Sequence, residues 1–219
     1  MKLRYALLAL GLMISYSQTI NAIDLDNATW TASGSVTTSG SGTLNGINIA
    51  ITTVAVSNGG TTNGQDWDAI SFISNAGLTN ITPAGSIDLA FNGNATSQQV
   101  VTFSGSGLTN PYIFINFTEA GDTFDFGSNT ATLIAGNNAQ QVGNTFTSTG
   151  ATNTVNDGFV IKFNGTFTNL SFNVIRTGAL DSVSFSVAVP EPSTYLLGAA
   201  SAISLFVVQI KRKRSVHQS

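Results

Sequence analysis

Apolar and polar residues change places one by one through much of this chain, and that period of two limits what it can fold into. Val183, Phe185, Val187 and Val189 alternate with Ser182, Ser184, Ser186 and Ala188. Leu170, Phe172 and Val174 alternate with Ser171 and Asn173, and Phe159, Ile161 and Phe163 with Val160 and Lys162. Successive side chains of a strand point to opposite faces, so these stretches predict strands with one buried and one wet face. Ile47, Ile49 and Ile51 continue the pattern, and Val54 and Val56 resume it one step out of phase, which predicts a bulge near Thr52-Thr53. Residues 112–117, Tyr-Ile-Phe-Ile-Asn-Phe, are apolar on both faces and predict a central strand. Shorter strands are expected at 30–35, 69–74, Ile87–Phe91, 100–104, 123–126, 131–134 and 144–147.

Turn chemistry separates these stretches. Asn45-Gly46, Asn58-Gly59, Asn63-Gly64, Asn92-Gly93, Asp157-Gly158 and Asn164-Gly165 supply the residues that tolerate positive φ in tight hairpins. No window between Ile23 and Val189 carries a helical stripe, because glycine and β-branched residues interrupt each one. The expected class is all-β, an antiparallel β-sandwich of jelly-roll or immunoglobulin-like topology. Ser-Gly-Ser-Gly occurs at 39–42 and 104–107, and Gly-Leu-Thr-Asn at 77–80 and 107–110, but the spacings fit no single period and point to composition rather than a solenoid.

The two ends differ from the body. Lys2 and Arg4 precede an uncharged apolar run at 5–16, and Ile20-Asn21-Ala22 ends in a small residue, the pattern of a secretory signal peptide cut after Ala22. At the other end Pro190-Glu191-Pro192 leads into an almost uncharged run at 194–210, followed by Lys211, Arg212, Lys213 and Arg214. The prolines hold the approach extended, and Pro192 suits entry to a helix. The run is just long enough to cross a hydrocarbon core as a helix. The basic cluster would keep the C-terminus on the cytoplasmic side. The expected organisation is a signal peptide (1–22), an exported domain (23–188), a tail (189–214) with a transmembrane helix, and a cytoplasmic end (215–219).

This tail resembles the PEP-CTERM sorting signal of Gram-negative bacteria. Pro190-Glu191-Pro192 matches the motif, 194–210 the helix and Lys211–Arg214 the basic end; the five residues after the cluster are a departure from the pattern. The resemblance implies processing by a membrane protease, exosortase, close to the motif. It also implies a protein held in the inner membrane by its C-terminal helix, then moved to the cell surface or an exopolysaccharide matrix. An ordinary single-span anchor behind a proline linker is the alternative.

Between the ends there are ten acids and two bases, Lys162 and Arg176, a net charge of −8 against −3 for the whole chain. Such a region has no basic footprint for phosphate, so nucleic acid is not an expected partner. Anionic polysaccharide would be repelled unless a divalent cation intervened. There is no cysteine, so stability must come from the core, and the phenylalanines concentrated between Phe72 and Phe185 supply one.

Histidine occurs only as His217, in the tail. Histidine-dependent triads, thiol nucleophiles and the usual zinc sites are therefore excluded from the exported region. Carboxylates remain: Asp66 and Asp68 flank Trp67, and Glu119, Asp122 and Asp125 form a loose group. The plain reading makes them loop residues that confer solubility. A calcium site drawing on Asp122, Asp125 or Asp181 is a second reading, although no EF-hand spacing is present. Acid–base hydrolysis is a third, weakened by the lack of a nearby base to hold substrate. Trp30 and Trp67 could stack on sugar rings or lie in the core. Six Asn-x-Ser/Thr sequons, at Asn27, Asn80, Asn94, Asn116, Asn164 and Asn169, are expected by chance in so Asn- and Thr-rich a chain. The expectation is a non-enzymatic surface or matrix protein without cofactor, the alternative a carbohydrate-binding module, with or without calcium, or an adhesin on the cell surface.

Overall fold

The alternating stretches become strands. A computed structural model describes residues 23–31, 39–56, 59–63, 78–79, 87–91, 96–150, 157–177 and 182–191. Among the described residues there are eighteen strands and no helix. The first nine are β1 (Ile23–Asn27), β2 (Thr29–Thr31), β3 (Ser39–Leu44), β4 (Ile47–Val56), β5 (Gly59–Asn63), β6 (Leu78–Thr79), β7 (Ile87–Phe91), β8 (Thr96–Phe103) and β9 (Leu108–Thr109). Then come β10 (Tyr112–Asn116), β11 (Thr123–Asp125), β12 (Ala131–Asn137), β13 (Ala139–Val142) and β14 (Thr145–Ser148). The last are β15 (Gly158–Phe163), β16 (Thr166–Phe167), β17 (Asn169–Ile175) and β18 (Ser182–Pro190). The strand expected at 69–74 lies outside the described residues.

Two large sheets result. In the first, β12, β15, β10 and β18 are neighbours in that order, and the far edge of β18 is shared by β1 and β7. Beyond these, β6 joins β1 in parallel and β5 joins β7 antiparallel. The second sheet runs β13-β14-β11-β17-β8-β4-β3-β2 and is antiparallel throughout. Inward side chains of both sheets meet in one core that includes Ile51, Val101, Phe124 and Phe172 from the second, and Ile113, Ile115, Phe159 and Phe185 from the first. Aromatic rings bridge the layers: Phe172 stacks on Phe185 at 5.6 Å between centroids, and Phe124 meets Phe159 edge-on at 5.4 Å.

The expected bulge in β4 is present, between Thr53 and Ala55. Beside it a buried polar chain crosses the core face, Thr53 donating to Gln99 and Gln99 to Ser97, each at 3.0 Å. Strand β10 is central and fully buried, as its sequence predicts, but it stops at Asn116 because Phe117 turns left-handed at φ 58°. Asp157-Gly158 does not form a hairpin turn. Gly158 opens β15 instead, against Ile115 O and the Asn116 side chain, where a Cβ would have no room.

A second expectation is overturned. Ser184, Ser186 and Ala188 were expected on a wet face, yet all three are buried. The far side of the first sheet carries a second apolar cluster, with Leu25, Leu78, Tyr112, Phe114 and Val160 around Ala188. Strands covered on both sides lose the simple alternation of buried and exposed positions. The second sheet keeps it, with Ser171 and Asn173 of β17 facing away from Leu170 and Phe172. Between edge strands β12 and β13, the Gln141 amide donates to Ala131 O and Gly143 O and accepts from Leu133 N–H, each at 2.8 Å, so that edge of the sandwich is closed by a side chain.

Candidate functional site

Among the described residues, the outer face of the second sheet carries exposed side chains, Ser41, Thr43, Thr102 and Asn173 among them. At one end of it β2, β3, β4 and β8 frame a groove of about 470 Å³. Cross-strand register fixes its walls: Thr31, Ser41, Ala50 and Thr102 stand side by side on successive strands, and Asn169 continues the row on β17. The next row holds Thr29, Thr43 and Asn48, with Ser104 Oγ accepting the Asn48 N–H at 2.9 Å. Thr and Ser suit strand surfaces, and here their side chains point outward because the alternate positions, such as Leu44, Ile49 and Phe103, turn into the core; the Thr102 hydroxyl also donates to Ala50 O at 3.4 Å. Ala50 is the short side chain between taller neighbours and sets the groove's depth.

Charge is nearly missing from this face. The eight strands of the second sheet contain one ionisable residue, Asp125. Its carboxylate is engaged locally, accepting from Gly127 N–H at 2.9 Å and Thr145 Oγ1 at 3.4 Å.

The acids expected to group together have separate roles. Asp122 is fully buried and lies 3.1 Å from Arg176 Nε; it also accepts the backbone N–H groups of Glu119 (2.8 Å) and Thr177 (3.2 Å). Arg176 Nη2 reaches Glu119 Oε2 at 3.3 Å. Desolvation pushes the Asp122 pKa above its ordinary value, with Arg176 and the two N–H donors pulling back by less. This cluster pins the loop after β10 to the end of β17, a structural arrangement. Among the described residues no group of three or more His, Cys, Asp or Glu side chains is placed to hold a metal ion. Asp66, Asp68 and Asp181 lie outside them.

Trp30 has its ring edge-on to Phe185 at 6.1 Å, and its indole N–H donates to Ser186 Oγ at 3.4 Å. The ring is half-buried and packs against the core; Trp67 is outside the described residues. Pro190 is the last residue of β18, buried and opposite Leu25 of β1, and Glu191 follows it half-exposed. Ala22, Pro192, the run at 194–210 and the cluster Lys211, Arg212, Lys213 and Arg214 lie outside the described residues. No helix among those described is long and apolar enough to cross a membrane. The buried Arg176 and the groove escaped sequence reasoning. For Arg176 the available signal was its isolation as one of two bases in a long acidic region.

No family model matches the chain, and no curated protein does. Among solved structures it is similar to a family 11 carbohydrate-binding module of the cellulosomal cellulase Lic26A-Cel5E of Clostridium thermocellum. The identity is 9%, over 75% of this chain and 95% of that one, with a TM-score of 0.26. A family 11 module from the same organism, in complex with a β-1,3-1,4-mixed-linked tetrasaccharide, is similar at 11% identity over 74% and 92%, with a TM-score of 0.22. The enzymatically active domain of bacteriophage CBA120 tailspike protein 4 follows at 15% identity over 65% of this chain and 18% of that one, TM-score 0.22. At scores this low the likeness carries nothing from those proteins to this one.

Proposed function

We propose that this chain is an exported, non-enzymatic protein of the cell surface or exopolysaccharide matrix, sorted by its C-terminal tail and processed there by exosortase. The observation that supports this most is the pairing of Leu25 with Pro190. The strands are antiparallel, so the start of β1, which follows the expected signal cleavage after Ala22, lies beside the end of β18, which runs into Pro190-Glu191-Pro192. Both targeting segments then leave the domain at one place, and one pole would face the bilayer during export. The strand order also suits the jelly-roll form of the sandwich: β7-β18-β10-β15 faces β8-β17-β11-β14, two antiparallel four-strand layers between which these eight strands alternate along the chain except at β11 and β14, which share the second.

The test is mass spectrometry of the protein recovered from each cell fraction. The surface or matrix form should end near the motif, and Glu191→Ala should accumulate in the inner membrane. A surface form that keeps His217 would make the tail a simple anchor and overturn sorting.

A second reading is carbohydrate binding, favoured by the uncharged, hydroxyl-lined groove on the second sheet. It needs no tail processing, and retention of the protein by polysaccharide tests it directly.

A further inference from the structure

We infer that the groove over β2, β3, β4 and β8 binds an uncharged polysaccharide chain laid across the strands. The inference rests on the carbohydrate-binding reading and gives it a surface and a ligand class. Size is the first argument: at about 470 Å³ the groove falls within the range of small-molecule sites while remaining open to a longer chain. Spacing is the second. Thr31, Ser41, Ala50 and Thr102 repeat at the inter-strand distance of about 4.8 Å. That is close to the rise of one sugar unit in an extended pyranose polymer, so successive units would pass the hydroxyls of Thr31, Ser41 and Thr102, with the short Ala50 between the last two. Threonine and serine hydroxyls both donate and accept, as sugar hydroxyls do.

Charge selects the class of polymer. No strand of this sheet carries a cation, and its one acid, Asp125, sits on β11, two strands beyond β8. A uronic-acid or sulfated chain would find no counter-charge there and would meet the repulsion of a region with a net charge of −8. An uncharged chain loses nothing to either effect. With Trp30 turned inward, recognition runs through hydrogen bonds rather than ring stacking, and binding should hardly change with ionic strength.

Affinity electrophoresis of the full-length protein in detergent tests this, in native gels containing hydroxyethyl cellulose, mixed-linkage β-glucan, galactomannan or, as the anionic polymer, alginate. Retardation is expected in at least one neutral gel and none in alginate. The combined variant Ser41→Ala/Thr43→Ala/Thr102→Ala should bind at least about tenfold more weakly, since three hydrogen-bonding hydroxyls are lost from the groove. Ala50→Arg, which fills the trough, should abolish retardation. Thr96→Ala/Gln140→Ala, on the same face away from the groove, should leave it unchanged, and circular dichroism would confirm that all variants are folded. Retardation that survives both groove changes overturns the groove and leaves the carbohydrate-binding reading standing. Absence of retardation in every neutral gel overturns both, and alginate binding equal to neutral binding overturns the ligand class.

Discussion

Arg176 holds its Nε 3.1 Å from Asp122 Oδ2 with both side chains sealed from solvent, the one buried ion pair among the described residues. The cost of burying the guanidinium is offset only while Asp122 and Glu119 remain beside it. Removing one member of a buried pair typically costs about 3–5 kcal/mol because the other charge is left stranded. Asp122→Ala should therefore destabilise by that order in a denaturant titration. Arg176→Met/Asp122→Asn should cost clearly less than the sum of its two single changes, since neither charge then remains buried alone. Additive losses would mean that the two groups are not coupled.

The same aspartate gives a pH signature. Burial raises its pKa in the folded state more than its partners lower it, so the native chain takes up this proton at a pH where the unfolded chain has released it. The unfolded state binds fewer protons in that interval, and the contribution to stability falls as pH rises from about 4 through the raised native value. Thermal melts of wild type and Asp122→Asn should show the wild-type advantage narrowing with pH across this window. An advantage that widens would place the native pKa below the ordinary aspartate value.

Asn116 is the reverse case, a polar group without compensation. It is fully buried in central strand β10, between Gly158 and Ser184, and neither its Oδ1 nor its Nδ2 has a hydrogen-bond partner among the described residues. An unsatisfied buried amide costs about 1–3 kcal/mol, and a similarly shaped apolar side chain avoids most of that. Asn116→Leu should raise the melting temperature. A lower one would show that the amide is satisfied in solution.

How much of this was readable beforehand depends on what carried the alternation. Ile87–Phe91 and the β10 strand were legible because large apolar residues mark their inward positions. Asn45-Gly46 was legible as a hairpin turn, and both residues take the expected positive φ, 51° and 77°. Strand β3 was not, although it alternates perfectly between exposed and buried positions, because two of its three inward residues are Gly40 and Gly42. The second core escaped because Ser184 and Ser186 look like wet-face residues, and only the packing on the far side of the first sheet shows otherwise. The groove was invisible for a different reason: its walls come from positions as far apart as Thr29 and Ser104, and each residue alone is an ordinary strand threonine or serine. The expected signal peptide and sorting tail rest on the sequence alone and lie almost wholly outside the described residues.

Gly42 joins that hidden strand to the candidate site, and it gives the last prediction. Trp30 of edge strand β2 lies over it. A Cβ at this position would come within 2.6 Å of Thr29 O and 3.1 Å of the Trp30 ring. Neither can give way cheaply: Thr29 O belongs to the β2–β3 ladder, and the Trp30 ring is fixed by Phe185 and by its hydrogen bond to Ser186. Gly42→Val should thus push β2 off β3 while leaving the inner strands β4 and β8 in place. The expected readout is a red-shifted, more quenchable tryptophan emission and a loss of about 1–3 kcal/mol of stability, the usual result of overpacking. Retention by neutral polysaccharide should fall with it, because Thr29 and Thr31 form one wall of the groove. If retention holds while the emission shifts, binding does not need that wall, and the ligand must lie over β4 and β8 alone.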